Sequence, residues 1–437
     1  MWTYYLRLGF LSLRRAPVLT TLMVMTLAAG VAASVTTLTI LTGMSGNPIP
    51  HKDGLLLVPL MDNEPVDSGP SGDDPPNQLT WMDAEALWTA ARGLRQVPIW
   101  GTNPSVDSGR PDLPPFFAEG IATGRDFFAM FDVPWLEGAT WSAEQERDGA
   151  RVAVIARSLA ERLHGTPAEA MGKTLTLNGV DFRVIGVLDD WAPLPKYYRL
   201  VAGNRFETSE EVFLPIRTAI ALNFGFNGNV SCSSAPPEPG LAGLLKSECQ
   251  MIQYWVEVGG ESERAAYREY LDNYVREQKA LGRFPRELNN RLFDVPEWMV
   301  FNRVVADDAR TAVWLSLGFL LVCLVNTVSL LLAKFSARPA EIGVRRALGA
   351  ARIDIFRQYV VEALVIGGVG AAVGVLLTFG ALAFIRRHDP SLDLVARLDT
   401  GMFSAALLIS LGAAMVAGLL PSWRACQVRP AIQLKSQ

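Results

Sequence analysis

The chain has 437 residues, half of them hydrophobic and only 19% charged, with a formal net charge of −4. A soluble domain carries about 25% charged residues, so long apolar segments must be diluting the charge, and the slight acid excess excludes the basic footprint of a nucleic-acid binder. Three histidines (His51, His164 and His388) nearly exclude a histidine-built metal centre, and four cysteines are too few for a disulfide scaffold.

In chain order, residues 1–16 (MWTYYLRLGFLSLRRA) place Trp2, Leu6, Phe10 and Leu13 on one stripe, with Arg7, Arg14 and Arg15 off it. This composition predicts an amphipathic helix lying on a membrane surface. Residues 17–42 hold no ionisable side chain. Nor do 311–333, 363–385 and 400–423. Each run exceeds the roughly 20 residues that carry a helix across a bilayer core, and the first is longer than the apolar region of a secretory signal. The predicted fold class is therefore an α-helical polytopic membrane protein with four transmembrane helices plus a large mixed α/β periplasmic domain, 43–310.

Lys and Arg set the orientation. Residues 1–16 and the tail 424–437 carry three basic side chains each and no acid, and the 334–362 loop has six against three. The 386–399 loop is balanced. Four spans put the three basic segments on one side, so both termini and the 334–362 loop are expected in the cytoplasm of a bacterial inner membrane. Residues 43–310 then lie outside, with 25 basic and 38 acidic side chains.

Within that outer region the residues predict a helix over 79–94, capped by Thr80 with Asp83 three positions on. A strand over 151–155 leads into a helix over 156–163. A hairpin joins 173–177 to 181–188 through Asn178-Gly179, a pair suited to a tight turn with positive φ. A charged amphipathic helix is expected over 261–281, and Pro- and Gly-rich loops over 65–76 and 104–115. Cys232 and Cys249 flank a Pro/Gly-rich segment on the oxidising side, where a bridge is expected; two unpaired thiols are the alternative.

Catalytic signatures are absent. No His-Glu-x-x-His or Gly-x-Ser-x-Gly pattern occurs. Gly172-Lys173-Thr174 resembles the end of a phosphate-binding loop, but Pro167 stands where its first glycine belongs. The spans hold one clear polar group, Asn326, Thr327 and Ser329, read as helix-packing contacts. Without ionisable residues at membrane depth, a water-filled path between the spans is not expected.

The 334–362 loop carries the most informative motif: Arg338, then Glu341-Ile342-Gly343-Val344-Arg345-Arg346-Ala347-Leu348-Gly349-Ala350. Glu341 to Leu348 reads as a short amphipathic helix ended by Gly349, with its arginines near anionic lipid headgroups and its apolar residues free for a partner's groove. Together with Asn326 upstream and Pro421, Ala425, Pro430 and Leu434 in the tail, this motif resembles that of the MacB/FtsX-type permeases of ABC transporters, the mechanotransmission class. The stretches 151–155, 172–175 and 182–187 resemble the MacB periplasmic core domain.

The resemblance implies a non-catalytic permease subunit whose loop, Arg338 and 341–350, is the coupling helix for a separate ABC ATPase; MacB carries its own ATPase ahead of the first span, and only about 16 residues precede it here. It implies that ATP and magnesium are held by that partner and no cofactor by this chain. A second permease copy or relative, a periplasmic adaptor and an outer-membrane duct are the further partners, in an export complex for a periplasmic peptide, antibiotic or similar substrate. Three rival readings stay open: an FtsX-like regulator of a cell-wall hydrolase, a lipoprotein-releasing permease, and a membrane-anchored peptide sensor.

Overall fold

The computed structural model describes residues 9, 11–13, 16–66, 74–201, 205–207, 209–336, 349, 351–389, 392–396 and 400–426, excepting the side chains of 400, 402, 406, 407, 410, 420 and 424–426. The chain divides into two compact units, one formed by Met1–Ser45 with Val305–Gln437 and the other by Gly46–Val304.

In the first unit, three helices among the described residues are long and apolar enough to cross a membrane: Pro17–Ser45, Asp307–Ser336 and Arg352–His388. A fourth helix, Thr400–Cys426, contains Pro421 and a shorter apolar stretch, Leu411–Trp423. The helices outrun the apolar runs at their ends. Residues 352–362, expected in a loop, form the first three turns of the Arg352–His388 helix, which continues through 386–388. The reason is that a backbone helix closes its own hydrogen bonds whether its side chains meet lipid or headgroups, so charge marks the membrane edge and not the helix end.

Small residues let these helices approach closely. A Cβ added at Gly367 would lie 2.4 Å from the Cβ of Ala414, and one at Gly374 3.0 Å from Val31. The glycines of the third span thus serve contacts within the chain, except Gly368 and Gly380, which meet no neighbour. Between the first two apolar helices, Thr37 and Ser316 share a hydroxyl hydrogen bond of 2.7 Å, and the Ser34 hydroxyl donates to the Ser316 carbonyl at 3.0 Å.

The second unit is mixed α/β, built on one sheet of thirteen strands among the described residues. Its middle runs through Gln250–Glu257, Arg95–Thr102, Gly120–Thr123, Val212–Pro215, Val152–Ala156 and Val180–Leu188. Pairing is mostly antiparallel, with parallel pairs between Val212–Pro215 and Gly120–Thr123 and between Val180–Leu188 and Val152–Ala156. The first strand, Leu56–Leu60, pairs antiparallel with the last, Arg291–Asp294.

Local signals account for several of these elements. Thr80 accepts from the Asp83 amide to cap the helix Trp81–Ala90, shorter than 79–94 because Leu79–Thr80 joins the sheet against Gln250–Glu257. Asn178 and Gly179 both have positive φ, +49° and +76°, in the turn between Thr174–Leu177 and Val180–Leu188. The helix Glu261–Ala280 buries Tyr267, Leu271 and Val275 on one stripe. The 104–115 stretch, expected as loop, contains the strand Ser105–Asp107, paired with Phe116–Phe117 and Thr174–Leu177. Neighbouring strands override its Pro/Gly-rich composition. Trp100, Trp141, Trp255 and Trp298 are fully buried.

Candidate coupling site

The motif residues Arg338, Glu341, Ile342, Gly343, Val344, Arg345, Arg346, Ala347, Leu348 and Ala350 lie outside the described residues. Gly349 is described: it is exposed, at φ +96°. An L side chain is strained at that angle, so glycine fits the position. Two residues on, Ala351 begins the Arg352–His388 helix in extended backbone.

What holds the two ends of this loop is fully described. Lys334, in the last turn of Asp307–Ser336, places Nζ 3.0 Å from Oε1 of Glu362 on the Arg352–His388 helix. Both side chains are buried, 2% and 5% exposed. The Ser12 hydroxyl donates to the same carboxylate oxygen, and Lys334 Nζ donates to the Ser12 carbonyl at 3.5 Å. The N-terminal segment is therefore a third member of the network. It comes close because Gly9 has no side chain: a Cβ there would stand 2.9 Å from Val365.

Around this polar knot lies an apolar cluster of Met23, Leu331, Phe335, Ile355, Tyr359, Ala363 and Ile366, with Leu13 half-buried against it. Phe335 and Tyr359 pack ring to ring at 4.3 Å. Three helices and the N-terminal segment thus share one root. A buried ion pair is held by its geometry and becomes costly when one partner is lost, so the root resists separation of the loop's two ends.

Of the polar residues expected to pack the spans, only Thr327 is buried, and its hydroxyl donates to the Cys323 carbonyl of its own helix at 2.8 Å. Asn326 and Ser329 are exposed; the Ser329 hydroxyl donates to the Val325 carbonyl at 2.9 Å. Hydrogen bonds between the first two helices are made by Ser34, Thr37 and Ser316. Lys334 and Glu362 were legible only as charges bounding apolar runs; their opposite signs at the two mouths of one loop were the available signal.

In the outer unit Cys232 and Cys249 are joined in a disulfide with Cα atoms 4.3 Å apart, beside the Ser231–Gln250 bridge. A second buried polar centre was not anticipated. Glu210, fully buried, takes Lys196 at 3.3 Å, Arg199 at 3.0 Å and the Tyr198 hydroxyl at 2.7 Å. Burial pushes its carboxyl up, but Lys196 and Arg199 outweigh this and hold it below the ordinary carboxylate value.

Comparison with known proteins identifies the family. Residues 20–270 match the MacB-like periplasmic core domain, and residues 313–430 the FtsX-like permease C-terminal family. The pyoverdine export ATP-binding/permease protein PvdT of Pseudomonas fluorescens (strain Pf0-1) is 24% identical over 379 residues, covering 85% of this chain and 50% of PvdT. The macrolide export ATP-binding/permease protein MacB of Hyphomonas neptunium is 27% identical over 361 residues, covering 82% of this chain and 49% of MacB. The chain thus spans about half the length of these curated relatives. Among solved structures, the periplasmic region of MacB from Actinobacillus actinomycetemcomitans aligns with a TM-score of 0.36 at 13% identity, covering 56% of this chain and 92% of that one. The chain belongs to the MacB/FtsX-type permease family of ABC exporters.

Proposed function

We infer that this permease, a member of the MacB/FtsX family, is the membrane subunit of an ATP-driven export complex. It passes the motion of a separate ABC ATPase from its 338–350 loop to its outer domain. The observation that carries this reading is the Lys334–Glu362 pair with Ser12. A loop fastened at both ends to one root transmits a push to two apolar helices and the N-terminal segment together.

In this reading the chain crosses the inner membrane four times, with Thr400–Cys426 as the fourth span, both termini in the cytoplasm and residues 46–304 outside. ATP and magnesium belong to the partner ATPase. A second permease completes the membrane part, and a periplasmic adaptor and outer-membrane duct receive a peptide, antibiotic or similar cargo. The relatives that export pyoverdine and macrolides support this class of cargo. The apolar lining of the spans supports an outer-domain route, because a path between helices would need strongly polar groups at membrane depth.

Co-purification of the tagged chain with an ABC ATPase, with ATPase activity altered by the permease, tests the first half. Photo-crosslinking residues placed through Asp307–Ser336 and through 46–304 test the second. Cargo is expected on the outer domain. Crosslinks confined to the helix around Asn326 would overturn the route.

A further inference from the structure

The outer unit carries an open groove of about 440 Å³ that no role above uses. One wall is the short helix Phe127–Met130 with the turn after it, and the other is the strand Trp135–Gly138 with residues 139–140. Asp132, at φ +50°, reverses the chain between the walls, a conformation aspartate takes more readily than most L residues. The volume lies within the roughly 300–1,000 Å³ of small-molecule sites.

The apolar side of the groove is aromatic and held in place. The Phe128 ring stands 4.9 Å from that of Trp135, 5.4 Å from Trp141 and 5.6 Å from Phe213. Trp135 is seated because Gly186 has no side chain: a Cβ there would lie 2.6 Å from the indole. Phe128 is buried, and Trp135 is half-buried and lines the groove.

The two charges at the rim are not equivalent. Asp132 is already engaged, by His51 Nε2 at 2.7 Å and Lys52 Nζ at 2.9 Å. Arg125 is exposed, and its guanidinium makes no hydrogen bond or ion pair among the described residues. Its backbone is fixed, because the Arg125 amide donates to Glu146 Oε1 at 2.6 Å. Glu146 lies within reach of the Arg125 charge, but the same oxygen takes the Trp141 indole N–H at 3.0 Å. The fold anchors Arg125 at its base and leaves its guanidinium donors open at the groove.

We propose that this groove binds a small amphiphilic anion: a flat apolar body lying against Phe128 and Trp135, with a carboxylate on Arg125. The proposal rests on the reading that cargo meets the outer domain, and adds the site and the chemistry of what it takes. A guanidinium presents paired N–H donors that match the two oxygens of a carboxylate. An ammonium ion would meet Arg125 as a like charge and find Asp132 occupied. Aromatic rings favour flat partners, offset-stacked or edge-on. An extended peptide fits less well, because the strand wall has only four residues and ends at Gly138, which turns the chain at φ +72°.

The test is photolabelling of the full chain in phosphatidylcholine nanodiscs, at about pH 7, with 4-benzoylbenzoate, followed by peptide mass spectrometry. Saturable labelling within 125–140, displaced by 2-naphthoate, is expected. 4-Benzoylbenzylamine, the same body with a cation, should label this stretch about fivefold to tenfold less, the worth of a partly exposed charge-assisted bond. Arg125→Gln should lower labelling by the acid to the same extent, and Arg125→Lys by less. Trp135→Ala should lower labelling by acid and amine alike. The contrast between acid and amine is read on the wild-type chain and depends on no variant folding. Equal labelling by acid and amine, or labelling unchanged in Arg125→Gln, would overturn the proposal. Displacement by lysophosphatidylglycerol but not by 2-naphthoate would make a lipid the occupant and overturn it too. None of these readouts uses ATPase or export. A chain that takes the acid here but recruits no ATPase fails the proposed function alone, and one that recruits an ATPase without this labelling fails this site alone.

Discussion

Lys334 Nζ and Glu362 Oε1 stand 3.0 Å apart, both buried, at the two mouths of a single loop. Removing one member leaves the other charge buried and uncompensated, at a cost of about 3–5 kcal/mol. Lys334→Ala and Glu362→Ala are each expected to lower the thermal unfolding midpoint of the detergent-solubilised chain and to abolish its effect on the partner ATPase. Lys334→Met with Glu362→Leu should cost less than the two single losses together, and a double-mutant cycle reads that coupling directly.

Glu341→Lys, or replacement of Gly343 by a larger residue, should leave insertion and folding intact while uncoupling ATP hydrolysis from export. The motif match around Arg338 to Ala350 motivates this expectation. Wild-type ATPase stimulation and export in both variants would remove the loop from its assigned role.

The Cys232–Cys249 bridge closes a loop with a sequence separation of 17. A loop of that size restricts the unfolded chain by about 3 kcal/mol. Cys232→Ser with Cys249→Ser should therefore lower the outer domain's unfolding temperature by several degrees. A non-reduced digest analysed by mass spectrometry should show the joined peptides, and both thiols free would contradict the bridge.

Glu210 sets an acid limit on the outer domain. Its carboxyl is held below the ordinary value in the fold, so the stability it contributes is complete above the unfolded pKa, about 4.3. That stability disappears as pH falls through the lower folded value. Glu210→Gln leaves Lys196 and Arg199 buried without their partner. The variant should be less stable by about 3–5 kcal/mol at pH 7 and should lose less than the wild type between pH about 5 and 3. Unfolding curves of both chains across that range decide it.

The parts of the fold legible in the sequence are those set by neighbours in the chain. Charge-free runs marked the apolar helices because a bilayer admits few charges, and Asn178-Gly179 marked its hairpin because both residues tolerate positive φ. The thirteen-stranded sheet was not legible: its middle strands pair across long separations, as Val212–Pro215 does with Gly120–Thr123, and no local pattern records which strand meets which. Ser105–Asp107 is a strand only because Thr174–Leu177 offers it an edge. At the coupling site the motif was readable as spacing, but Ser12 is 350 residues from Glu362, and only folding brings them together.

The first and last strands of the outer unit, Leu56–Leu60 and Arg291–Asp294, are antiparallel neighbours, with Leu57 opposite Asp294 and Leu60 opposite Arg291. The first and last strands of the unit are therefore clasped side by side at one end of its sheet. A pull on either end of this unit thus meets the ladder between Leu56–Leu60 and Arg291–Asp294 before any other strand of its sheet.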